Sequence, residues 1–180
     1  MPFTQCYCAL PQKAANLFKN HSIFLGVFPM SNRGLVLAVA SGGGHLHQLV
    51  RIADAFTGMD VSYVCTDPAL ASSLGLKNTL KIGDANQNDM LALLRVGVQA
   101  LKIVISHKPS VVISTGAAPG LLVIFWGRIF GAKTIWIDSI ANAEQLSLSG
   151  KIASYFSNIT LTQWEHIALV SKAKYWGAVL

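Results

Sequence analysis

The sequence predicts an α/β fold, a single doubly wound and mostly parallel sheet, on three observations. Short apolar runs alternate with longer stretches of helical periodicity from residue 30 onward, the pattern of strands joined by crossover helices. The apolar run 35–40 passes through Ser41 into Gly42, Gly43 and Gly44 and then into a helix-like pattern at His45, which reads as a buried strand, a tight turn and a helix start. The 180-residue chain is 52% hydrophobic and 12% charged, against about 25% charged in an average soluble domain. A sheet buried on both faces, or a surface that meets a membrane or a partner, accounts for so apolar a composition.

Residues 1–29 stand apart. They carry Lys13 and Lys19 and no acidic residue, and their apolar piece 23–28 is too short for a signal-peptide core or a spanning helix. They are expected to be a poorly ordered leader or a mis-assigned start, or else a membrane-surface anchor, with the domain proper over 30–180. Within the domain, strands are expected at 35–40, 61–65, 79–82, 111–114, 134–137 and 159–161. Helices are expected at 45–56, 90–107, 119–130 and 151–156, with a turn of helix around 164–169. In 90–107 the apolar residues Leu91, Leu94, Val98, Leu101 and Ile105 recur at helical spacing and predict the face that packs on the sheet. Residues 109–127 carry no charge, but Ser114 to Gly120 form a turn that interrupts any spanning helix.

In a doubly wound sheet the ligand lies beyond the carboxyl ends of the strands, where the strand order reverses. The glycine corner Gly42–Gly44 suits a phosphate there, because glycine admits close backbone approach and the first N–H groups of the helix point outward. Ser41 belongs to the same corner. His45 opens the helix and is either an exposed helix-start residue or a general base or anion-contacting donor. Thr115 and Gly116 sit in a second small-residue strand-to-helix corner. Asp138, with Asn142, Glu144 and Gln145 after it, could read sugar hydroxyls or merely close a strand. Trp164, beside Gln163, is expected to pack rather than stack on a sugar.

Other chemistries are disfavoured. No metal-ligand cluster is present, and the glycine loop lacks the Lys-Ser/Thr ending of a nucleotide triphosphatase. Asp67 after the second strand keeps only a weak dinucleotide reading, since His47 stands where the third glycine would be. The net charge of +6 suits an anionic partner, but the basic residues are scattered, so nucleic acid is not expected. Three cysteines, two of them at Cys6 and Cys8, give neither a zinc spacing nor a disulfide framework.

Taken in order, SGGGHL at 41–46, ISTGAAPG at 113–120, IWIDSIANAEQLSLSGKIASYFSNITLTQW at 135–164 and YWGAVL at 175–180 resemble a family of sugar-transfer proteins. These are the bacterial PssD-type exopolysaccharide proteins and the eukaryotic asparagine-linked glycosylation protein fourteen. The resemblance implies a Rossmann-like domain, the amino-terminal, acceptor-binding half of a GT-B glycosyltransferase similar to MurG. It implies a separate donor-binding subunit as partner and a polyprenyl-diphosphate-linked sugar acceptor at the cytoplasmic face of a membrane; the eukaryotic members carry an amino-terminal membrane helix that the leader 1–29 is not expected to supply, so peripheral attachment is expected. It further implies that Gly42–Gly44 hold the acceptor phosphates, that His45 is the base for the acceptor hydroxyl, and that Thr115 and Gly116 belong to the second loop. Asp138 stands where many members carry Glu. No cofactor or metal is implied. The competing function is a non-catalytic membrane scaffold that recruits and activates the donor-binding subunit.

Overall fold

The computed structural model describes residues 34–85 and 88–179; the leader 1–29 and its two cysteines lie outside the described residues. Seven parallel strands form one sheet: β1 (Val36–Ala40), β2 (Val61–Cys65), β3 (Thr79–Lys81), β4 (Val111–Ser114), β5 (Lys133–Ile137), β6 (Ile159–Thr162) and β7 (Lys174–Tyr175). Their order is β3-β2-β1-β4-β5-β6-β7. The chain winds outward from β1 to β3 and crosses back to β4, so the order reverses between β1 and β4.

The helices are α1 (Gly44–Ile52, continued by a 3₁₀ turn at Ala53–Phe56), α2 (Pro68–Ser73), α3 (Met90–His107), α4 (Ala117–Ile129), α5 (Leu148–Ala153) and α6 (Glu165–Val170). Alternation along β1 divides the core. Val36, Ala38 and Ala40 face Leu46, Leu49 and Ile52 of α1, while Leu37 and Val39 share the opposite layer with Val96 and Val104 of α3 and Val123 and Ile124 of α4. Every residue of β1 and β4 is buried, as a parallel sheet covered on both faces requires.

Two short elements escape the sequence pattern. α2 is only six residues long, but Asp67 caps it by accepting from the Leu70 N–H at 3.0 Å and Pro68 follows at its first position. That cap gives Asp67 a local task and removes the support for a dinucleotide reading. β7 is a two-residue edge strand paired with β6. α5 also begins earlier than the pattern suggests, because the Ser147 hydroxyl caps it at the Gly150 N–H, 2.8 Å away.

The larger correction concerns α3. Its bounds agree with the sequence, but its orientation does not. Val96, Ala100 and Val104 are the residues it buries, whereas Leu91 and Leu94 are each 67% exposed and Val98 and Ile105 are exposed too. The sequence shows an apolar stripe on two sides of this helix, and the smaller side chains are the ones that fit against the sheet and α4. Trp126 of α4 donates its indole N–H to the Gly97 carbonyl at 3.0 Å, which ties the two helices together. α3 is the one helix among the described residues long and apolar enough to cross a membrane. As the crossover between parallel strands β3 and β4 it instead lies along the sheet.

Candidate functional site

β1 ends at Ala40, and Ser41, still buried, carries the chain to the carboxyl edge of the sheet. The Gly42 N–H donates to Thr66 Oγ1 at 2.8 Å, which ties the loop to the end of β2. Gly43 has φ 64° and ψ −135° and is the N-cap of α1, a backbone state that a side chain would strain. Gly43 and Gly44 are exposed, with nothing within 4 Å of where a Cβ would stand. No side chain caps α1, so its first-turn N–H groups and the positive end of its dipole face the open side of the loop. α2, α3 and α5, by contrast, are capped by Asp67, Asp89 and Ser147.

The second corner lies next to it, since β1 and β4 are paired. α4 also starts from a glycine N-cap without a side-chain cap, Gly116 at φ 137° and ψ −175°. Ala117 follows at φ 67°, an uncommon conformation for a residue with a Cβ. The two corners are joined by His45 and Thr115. The His45 Nδ1 lies 2.9 Å from the Thr115 carbonyl oxygen, and the Thr115 hydroxyl donates to the His45 carbonyl at 2.8 Å. A Cβ on Gly116 would overlap the His45 ring. The structure therefore brings Ser41, Gly42–Gly44, His45, Thr115 and Gly116 together at the switch point.

It does not leave the second pair free for a phosphate. Thr115 is 1% exposed with its hydroxyl engaged on His45, and the Gly116 N–H donates to Ser114 Oγ at 3.1 Å. Both shape the site from behind His45 instead. For Asp138 the contacts match the second of its two readings, a residue that closes a strand. It is buried, and its carboxylate accepts from the Ser147 N–H (2.8 Å), the Ser147 hydroxyl (2.5 Å), the Trp136 indole (3.2 Å) and the Asn142 amide (3.4 Å). These contacts fold the loop 138–147 over the end of β5. Glu144 is exposed on that loop. Trp164 packs with Leu146, Ile167 and Ala173 and donates to the Ile140 carbonyl at 2.9 Å, as expected.

Two glutamines organise this edge, Gln163 beside Trp164 and Gln48, which carries no motif. Gln163 is buried, donating to the Asp138 carbonyl (2.9 Å) and to Gln48 Oε1 (3.3 Å) and accepting from the Val179 N–H (2.9 Å). Gln48 lies three residues beyond His45 on α1 and donates in turn to Ser139 Oγ at 3.3 Å. A glutamine among Leu46, Leu49 and Ile52 on the buried side of α1 was the available signal. Cys65 ends β2; its burial pushes the thiol above its ordinary range, which makes it an inert core residue.

Away from this edge, a groove of about 530 Å³ runs between α3 and α4, lined only by apolar residues, among them Met90, Leu94, Gly97, Leu122 and Phe125.

A family model described as "Oligosaccharide biosynthesis protein Alg14 like" matches residues 66–179. The chain belongs to the Alg14 family. The match covers the second corner, Asp138 and Gln163; it begins at the end of β2, so the first glycine loop and His45 lie ahead of it. Relatives include the UDP-N-acetylglucosamine transferase subunit ALG14 of Eremothecium gossypii, 23% identical over 81% of this chain and 80% of that protein. The subunit of the same name from Yarrowia lipolytica is 22% identical over 81% of this chain and 67% of that protein. Among solved structures, MurG of Acinetobacter baumannii superposes with a TM-score of 0.60 at 14% identity, over 72% of this chain and 41% of that one. The UDP-GlcNAc 2-epimerase of Methanocaldococcus jannaschii gives 0.61 at 15% identity, over 79% of this chain and 45% of that one. The chain thus spans less than half the length of these structures, and the likeness to them is one of fold: the Rossmann-like domain of GT-B enzymes.

Proposed function

We propose that residues 30–180 form the acceptor-binding subunit of a two-chain glycosyltransferase of oligosaccharide or polysaccharide biosynthesis. The observation that carries this reading is the placement of His45 at the switch point, between an open, uncapped helix start and a second glycine corner. In this reading the N–H groups of Gly43, Gly44 and the first turn of α1 hold the diphosphate of a polyprenyl-linked sugar acceptor. The acceptor hydroxyl oxygen attacks the anomeric carbon of a nucleotide sugar. The bond from that carbon to the diphosphate oxygen breaks, the nucleoside diphosphate leaves, and the hydroxyl proton passes to His45. The names of the ALG14 relatives support N-acetylglucosamine, carried on UDP, as the sugar. The donor site belongs to a separate subunit, whose own helix start would stabilise the leaving diphosphate.

Reconstitution tests this. The purified chain alone should transfer no sugar from UDP-N-acetylglucosamine to a polyprenyl-diphosphate-linked acceptor, and transfer should appear on adding the donor-binding subunit. Robust transfer by the isolated chain would refute the half-enzyme reading.

Location at the cytoplasmic face of a membrane belongs to the same proposal. The exposed side of α3 and α4 presents Met90, Leu91, Leu94, Phe125, Ile129 and Phe130, and large apolar side chains grouped at a surface mark an interaction site. Every charged residue from Met90 to Ile137 is basic: Arg95, Lys102, Lys108, Arg128 and Lys133. An apolar face set among cations matches an anionic lipid surface. Bound to anionic vesicles, the chain should be released in large part by high salt, because exposed charges are screened over about 10 Å at 0.1 M. The double substitution Leu94→Glu with Phe125→Glu should weaken binding by at least roughly tenfold, since burying a Leu or Phe side chain contributes about 1.5–3 kcal/mol. Retention after both high salt and alkaline carbonate would point to an integral segment instead.

A further inference from the structure

We infer that Thr115 is a positioning residue: it fixes His45 in the tautomer that carries its proton on Nδ1 and keeps the Nε2 lone pair free. The inference goes beyond the base assignment. It rests on the proposed function for its catalytic consequence, though not for the tautomer itself.

A carbonyl oxygen has lone pairs and no proton. The 2.9 Å contact between His45 Nδ1 and the Thr115 carbonyl is therefore a hydrogen bond only if Nδ1 is the donor. A neutral imidazole has one N–H, so Nε2 is then the basic atom. Nε2 makes no hydrogen bond among the described residues. The acceptor that sets this state is itself held from two sides. The Thr115 N–H donates to the Val39 carbonyl at 3.1 Å, extending the β1–β4 ladder. The Thr115 hydroxyl donates back to the His45 carbonyl at 2.8 Å. The residue itself is 1% exposed, so burial favours keeping both bonds. Gly116 completes the arrangement, because the His45 ring occupies the space a side chain would need. The latch spans 70 residues of sequence and closes across the switch point. The imidazole is thereby oriented by the neighbouring strand rather than by its own helix, which is how a base gains its geometry from a second group.

The first measurement uses the chain alone. In alkaline buffer, where imidazoles are neutral, two-bond ¹⁵N–¹H correlation spectra of ¹⁵N-histidine-labelled protein report the protonated nitrogen of each ring, and the signal missing from His45→Gln assigns His45. The expected pattern is a protonated Nδ1 and an unprotonated Nε2; a protonated Nε2, or an even mixture of tautomers, overturns the inference. The second measurement uses the complex with the donor-binding subunit and compares Thr115→Val with Thr115→Ser. Val should lower kcat by roughly 10- to 100-fold, the scale of a misplaced catalytic group, with the acceptor KM within about twofold, and should blur the His45 tautomer. Ser, which keeps the hydroxyl, should restore most of the rate and the spectrum. A rise in KM with kcat unchanged would mean that Thr115 contacts substrate and would overturn the positioning role, as would failure of Ser to rescue. If Val does not fold, Ser and the wild-type spectrum carry the decision. If the wild-type complex transfers no sugar, the proposed function falls while the tautomer spectrum still decides this inference.

Discussion

His45→Ala is expected to lower turnover of the reconstituted two-chain enzyme by roughly 10²–10⁴-fold, the usual contribution of a positioned acid–base group, while the complex still assembles. The expectation follows from where the side chain sits. His45 is half-buried at the mouth of the glycine loop and packs on Gly116 rather than in the core, so its loss removes a functional group without opening a cavity under the sheet. The uncapped start of α1 and the exposed Gly43 and Gly44 are unchanged in the variant. The acceptor KM should therefore move much less than kcat, because the phosphate contacts in this reading are backbone groups. Steady-state kinetics with the donor subunit present separate the two parameters. Near-normal turnover by His45→Ala would transfer the case to the scaffold reading, in which the chain only anchors and activates its partner. The apolar α3–α4 face would then be the working surface of the molecule.

The fold was legible wherever a single local pattern decided the outcome. β2, β4 and α3 have the bounds that alternation and helical spacing indicate, because Val- and Ile-rich runs and Leu-rich repeats leave little choice. α2 was hidden because six residues are too few to show a period, although Asp67-Pro68 marked its start. Periodicity also failed for the orientation of α3. It reports that a stripe is apolar but not whether it meets the sheet or solvent, and here the Val96, Ala100, Val104 side is the one that fits against the sheet and α4. The same distinction runs through the site. The glycine corner was visible, since a strand, three glycines and a helix leave one geometry. The role of Thr115 was not, and Asp138 stood between two readings, because a hydroxyl or carboxylate at the carboxyl edge reads as a ligand group until its partners are known. Those partners, His45 for Thr115 and Ser147 and Trp136 for Asp138, come from segments that only the folded chain brings together. Gln48 carries no motif, and Gln163 was visible only as part of the stretch ending in Trp164; their task of joining α1, the loop 138–147 and Val179 exists only in three dimensions.

Gly116→Ala should damage stability and turnover together, and the pairing of the two losses is its diagnostic. At φ 137° and ψ −175° the backbone lies in a region that is essentially restricted to glycine, so a Cβ alone costs on the order of 1–3 kcal/mol. The new methyl group would also overlap the His45 ring. The ring cannot retreat freely, because moving it breaks the Nδ1 bond to the Thr115 carbonyl, and Gly116 cannot move while its N–H is held by the buried Ser114 hydroxyl. The chain must give up either the latch or the strand end. In the first case thermal unfolding shows only the backbone cost and turnover falls by roughly 10²-fold, as expected for a displaced catalytic group. In the second the unfolding free energy drops further, by about 1–3 kcal/mol for the buried polar group left unpaired. Denaturant titration alongside kinetics of the complex distinguishes them. Gly43→Ala supplies the contrast: its φ of 64° makes a side chain unfavourable, but nothing lies within 4 Å of the added Cβ. It should cost a comparable amount of backbone strain, leave the His45–Thr115 latch intact, and impair acceptor binding more than the chemical step. A Gly116→Ala variant with full turnover would mean that the His45 ring has no fixed place in the reaction, and the second glycine corner would then serve packing alone.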